Sequence, residues 1–103
     1  MRFLEFIASG QTLKRSPACD FSGIVAGSKG YLFARFYFSK EWAGCKKVAV
    51  FTYKGKEYPV GLKDNMCEIP AEVLAGGPVQ VYVLGARGAC RIPTDPVAFT
   101  VNH

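Results

Sequence analysis

Apolar and polar residues alternate along much of this chain, at the period of two that belongs to β-strands. In "RFLEFIA" (2–8), Leu4, Phe6 and Ala8 share one face of an extended segment, and Phe3, Glu5 and Ile7 share the other. The clearest strand is "YLFARFYFS" (31–39). There Leu32, Ala34, Phe36 and Phe38 make an apolar face, opposite Tyr31, Phe33, Arg35 and Tyr37. The second set is also aromatic, which predicts a half-covered outer surface. The segment 46–62 reads as a hairpin whose β-rich arms flank Lys54-Gly55-Lys56, where glycine can supply a positive φ. In "VQVYVLG" (79–85) Val79, Val81 and Val83 line one face while Gln80, Tyr82 and Leu84 line the other. "CRI" (90–92) is expected to return antiparallel to it, and "VAFTV" (97–101) to be the last strand.

The intervening segments carry turn chemistry. Residues 9–23 are turn-rich and broken at Gly10 and Pro17, with a weak strand signal within 19–25, and "GSKG" (27–30) reads as a turn. "KEWAG" (40–44) predicts a compact or single helical turn, with Trp42 closing one end of the core. Residues 63–65 form another turn and 66–69 a short strand. Pro70 then suits the first position of a short helical turn near 70–75, where Glu72 meets the positive end of the turn. Gly76-Gly77-Pro78 ends it. About eight short strands with turn signals every 8–12 residues or so predict an all-β fold, an antiparallel β-sandwich. Residues 1–103 form one domain without repeat or linker.

Composition agrees: half of the 103 residues are hydrophobic and 14% aromatic, enough for a core without staples. The net charge of +5 comes from cations scattered along the chain, in runs no longer than two. That favours a solvated face over a nucleic-acid patch. Tyr31, Arg35, Tyr37 and Tyr53 could together resemble a single-strand binder, yet a second apolar layer or a subunit contact explains them better, and no recognition helix is present. Cysteines stand at 19, 45, 67 and 90, too far apart for the close pair that a zinc site usually shows. The first residues lack the sustained apolar core of a secretory leader, so the expectation is a reducing cytosol with free, mostly buried thiols. No apolar run approaches the ~20 residues of a membrane span.

Catalytic candidates are few. The only histidine is His103, the last residue, and a Cys–His pair would need that tail to fold back. Asp64 suits a turn and Glu72 a turn N-terminus, so neither calls for acid–base chemistry. "GSKG" and "GARG" lack the strand–loop–helix setting of a phosphate loop. The expectation is no catalytic residue, no cofactor and no metal.

One ordered set of positions resembles a known family. An aromatic strand runs into Trp42-x-Gly44 and is followed by Ala49-Val50-Phe51. Next come Cys67, Ile69, Pro70, Glu72, Val73 and Leu74, then Val79, Val81, Val83 and Gly85, then Arg91, Ile92, Thr94, Val97, Phe99 and Val101. This resembles a small Ig-like β-sandwich domain of phage and prophage structural proteins, found at the N-terminus of upper baseplate and tail-fibre proteins in phages of Gram-positive bacteria. The resemblance covers roughly residues 31–101, with Ala71 where the family often has an aromatic. It implies that Trp42, Gly44, Pro70, Glu72 and Gly85 are structural.

The resulting expectation is a non-enzymatic virion assembly module of a baseplate, tail or capsid surface, made in the bacterial cytoplasm. It would dock on itself or on other virion proteins through edge strands and an aromatic, basic face. The candidate interaction residues are Phe33, Arg35, Tyr37, Tyr53 and Tyr82, with Phe51 among the second-face aromatics. The alternative is a small phage-encoded inhibitor of a host defence protein, of the anti-CRISPR or another anti-defence type. Nucleic-acid binding ranks below both, and no membrane is involved.

Overall fold

The computed structural model describes every residue from Met1 to His103. Nine strands appear: β1 (Arg2–Ser9), β2 (Thr12–Arg15), β3 (Leu32–Phe38), β4 (Lys46–Tyr53), β5 (Lys56–Gly61), β6 (Met66–Glu68), β7 (Gly77–Arg87), β8 (Cys90–Pro93) and β9 (Val97–Val101). They form two sheets, the expected sandwich. The first runs β2-β1-β3-β6; the second runs β5-β4-β7-β8, with β9 also paired to β7. The long β7 carries β9 along its first half and β8 along its second. Where those two separate, the Val83 amide donates to the Thr94 hydroxyl and the Thr94 amide to the Val83 carbonyl, both at 2.9 Å, so the ladder has no gap.

The alternation sorts the core as it should. Leu4, Phe6 and Ala8 from β1, Leu32, Ala34 and Phe36 from β3, and Val79, Val81 and Val83 from β7 are buried, with Phe99 and Val101 from β9. Phe6 stacks on Phe36 at 5.2 Å between ring centroids and reaches Phe99 at 6.3 Å, joining the two sheets. The hairpin turn is Lys54-Gly55 alone, with φ of 49° and 80°: both central residues take the left-handed region that a tight two-residue loop demands.

Three features depart from the alternation. First, β2 lies inside the segment read as turns: Thr12–Arg15 folds back on β1 and buries Leu13. Second, β1 and β3 pair in parallel, Arg2 beside Leu32 through Ala8 beside Phe38, within ladders that are otherwise antiparallel. A parallel pair needs a long crossover. Here residues 16–31 supply it, seating Ile24 in the core. Third, the strand suspected within 19–25 is reduced to a single bridge of Val25 with Asn102, flanked by backbone bonds from Asn102 to Ile24 (2.6 Å) and from Ala26 to Asn102 (2.7 Å). No helix is long and apolar enough to cross a membrane.

Candidate interaction surface

The parallel register decides what the outer face of the first sheet displays. Since Leu4, Phe6, Leu32 and Phe36 point inward, the residues between them point out. Phe3 stands beside Phe33, Glu5 beside Arg35, and Ile7 beside Tyr37. The Phe3 and Phe33 rings lie 5.7 Å apart, and the Arg35 guanidinium sits 4.0 Å above the centre of Phe3. Arg35 also pairs with Glu5 at 3.1 Å, and the same carboxylate oxygen accepts the Tyr37 hydroxyl at 2.8 Å. The Arg35 and Glu5 side chains are 35% and 24% exposed, so solvent screens the pair and its worth is about 0–1 kcal/mol. Its effect is positional: it lays Arg35 over Phe3 and holds the Tyr37 ring along the strand. Met66 lies opposite Arg35 on β6. Met1, Phe3, Phe33 and Met66 line a shallow, mostly apolar hollow of about 260 Å³, with Lys63 and Glu68 at its rim.

Phe33, Arg35 and Tyr37 are therefore brought together, and Phe3, Glu5, Ile7 and Met66 join them. The other expected members do not. Tyr53 is buried, its hydroxyl donating to the Gly76 carbonyl at 2.8 Å, and Phe51 is fully buried in the core. The physical reason is register: β4 sets Ala49 against Val83 and Phe51 against Val81, which turns Ala49, Phe51 and Tyr53 inward. Tyr82 does face outward, but from the second sheet, on the opposite side of the sandwich. Its hydroxyl donates to Glu57 at 2.9 Å, and this bond to a carboxylate raises the phenol above its ordinary range.

Of the positions that carry the resemblance, Trp42 and Gly85 are buried while Gly44, Glu72 and Arg91 are exposed. Trp42 ends a 3-10 turn, Lys40–Trp42, and is fully buried. Its ring packs on Phe38 at 5.1 Å and its Nε1 donates to the Gly10 carbonyl at 2.9 Å. Gly85 lies directly beneath that ring, and Gly44 at φ 76° turns the chain toward β4. Pro70 precedes a second 3-10 turn, Ala71–Val73, which buries Val73 and Leu74 and leaves Glu72 exposed; the helical turn expected over 70–75 is this shorter element.

All four thiols are free, but only Cys67 is buried; Cys19 and Cys45 are half-buried and Cys90 is exposed, which corrects the expectation of mostly buried thiols. Burial pushes the Cys67 thiol up to about 12. The His103 ring lies against Gly76, and no three His, Cys, Asp or Glu side chains converge as metal ligands would.

Three edge strands are guarded. β5 carries Pro59 between Tyr58 and Val60, β6 is three residues long, and the Leu13 amide of β2 donates to the Asp95 carboxylate at 2.9 Å. Comparison with protein-family models, curated proteins and solved structures found no match to this chain.

Proposed function

We propose that this chain is a non-catalytic assembly module of a phage or prophage particle, acting through protein–protein docking by the outer face of its first sheet. The observation that carries the reading is the strip Phe3, Phe33, Ile7, Tyr37 and Met66, set on a sheet whose inner face already holds the core. A sandwich needs one apolar face per sheet; a second marks a surface made to be covered. Arg and Tyr beside apolar residues are the side chains that anchor such contacts.

The occupant this face suits best is a second copy of the chain. Arg35 and Glu5 cancel within the strip, so two molecules that each carry +5 meet there with few like charges, the cations at its margin being Lys14 beside Ile7 and Lys63 at the rim of the hollow. The resemblance to phage structural domains supplies the setting.

Two measurements test this. Sedimentation velocity at micromolar concentration should show self-association that Phe33→Ser and Tyr37→Ser weaken while the melting temperature holds. A monomer at every concentration, or variants that associate as the parent does, would refute the docking face. Mass spectrometry of purified particles should find the chain, and its absence would refute the particle assignment.

A further inference from the structure

The second sheet has its own outer surface, and its chemistry is different. Cross-strand register sets Gly61, Val48, Leu84 and Pro93 in one row across β5, β4, β7 and β8. Four strands at about 4.8 Å spacing make this apolar row roughly 15 Å long. The next row toward the end of the sheet is Lys46, Ala86 and Arg91. Two hollows follow these rows. One, of about 520 Å³, is lined by Lys46, Lys47, Val48, Gly61 and Leu62 among others; the other, of about 350 Å³, by Lys46, Val48, Leu84, Ala86 and Arg91. They share Lys46 and Val48 and so adjoin along these rows, which together make a transverse groove with an apolar floor and cations on its wall.

The cations there are unpaired. The chain's single ion pair is Arg35 with Glu5, on the other sheet. Most carboxylates are occupied at home: Asp20 by Ser22, Glu41 by Ser39, Glu57 by Tyr82, Glu68 by the Gly30 amide and Asp95 by the Leu13 amide. Asp64, at the β5 end, is the one acid that lines the groove. Lys46 and Arg91 are exposed and face it, and neither forms an ion pair.

We infer that this groove is a docking site for an acidic protein segment, whose carboxylates meet Lys46 and Arg91 while an apolar side chain rests on Val48 and Leu84. A nucleic acid fits less well. Single-strand binders add stacking aromatics to their cations, but here Trp42 is buried, Phe38 lies under the Lys47 ammonium at 4.9 Å, and Tyr82 is tied to Glu57. This site is separate from the first-sheet face and stands or falls apart from it.

The test uses a fluorescein-labelled peptide, Glu-Glu-Leu-Glu-Leu-Asp-Glu, followed by fluorescence anisotropy at low salt against the full chain. Binding is expected. The double variant Lys46→Glu/Arg91→Glu should weaken it by at least about tenfold. Lys54→Glu/Lys56→Glu, with the same change of net charge at the distant hairpin tip, should stay within about twofold. Phe33→Ser should bind the peptide as the parent does, which separates this site from the self-association face. Thermal melts confirm that each variant is folded. No binding, or equal loss in both double variants, overturns the inference. So does tighter binding of a labelled thymidine oligonucleotide that depends on Lys46 and Arg91, which would assign the groove to nucleic acid.

Discussion

Replacing Gly85 with alanine adds one methyl group where there is no room for it. A Cβ at this position would stand 2.7 Å from Trp42 Cζ3 and 2.9 Å from Cε3, with Cys45 Cβ at 3.5 Å. The backbone of Gly85 is ordinary strand, so the conflict is purely steric. Trp42 has little freedom to retreat: it is fully buried, packed on Phe38, and bonded through Nε1 to Gly10. Overpacking of this kind costs about 1–3 kcal/mol. If the indole moves and leaves its N–H unpaired, the penalty extends to the upper part of that range. The smaller conformational freedom of alanine in the unfolded chain returns about 0.4–1 kcal/mol. The expected net loss is about 1–2 kcal/mol, measured by urea denaturation, with a melting temperature lower by roughly 4–8 °C per kcal/mol for a domain of this size. Gly61→Ala is the control: it is also a strand glycine of ordinary φ, but a Cβ there meets nothing within 4 Å. It should be neutral or slightly stabilising. Gly85→Ala as stable as the parent would show that Trp42 is not held as described.

Other outcomes follow from single contacts. Tyr53→Phe removes the only side-chain donor to the buried Gly76 carbonyl, and should cost about 1–3 kcal/mol while leaving self-association unchanged. Iodoacetamide near neutral pH should label Cys90 in the folded protein and Cys67 only after unfolding. The Cys67 thiol also makes stability depend on pH. Its folded value, about 12, lies above the unfolded one, so below the unfolded value both states keep the proton and nothing changes. As pH rises from there toward about 12, the unfolded state alone ionises, and stability should fall by up to ~1.4 kcal/mol per unit. Cys67→Ala should remove that component of the slope, and an unchanged slope would show that other groups carry it.

Where one face of a strand is apolar and the other is not, reading the sequence by alternation recovers the core, as with Leu4, Phe6 and Ala8 or with the three valines of β7. It fails on β4. "KKVAVFTY" is apolar on both faces, so alternation leaves two phases open, and only the pairing of Ala49 with Val83 and Phe51 with Val81 chooses between them. That ambiguity is why Tyr53 was expected on the surface. Half of the candidate face was legible in Phe33, Arg35 and Tyr37. The other half, Phe3, Glu5 and Ile7, was visible as one face of β1 but could not be joined to it, because parallel pairing depends on a crossover whose path leaves no local periodicity. The basic groove was hidden for a similar reason. Lys46 and Arg91 are far apart in the chain and become neighbours only through β7.

The crossover also gathers the two chain ends. The Arg2 guanidinium reaches the carbonyls of Asp20, Ser22 and Gly23, while Asn102 exchanges backbone bonds with Ile24 and Ala26. Entry and exit thus lie on one stretch of backbone, at the end of the sandwich away from Trp42, Gly85 and the Lys46–Arg91 row. A domain with this layout can be grafted as a loop into a host protein, or carry a tag at either terminus, with the groove pointing away from the graft.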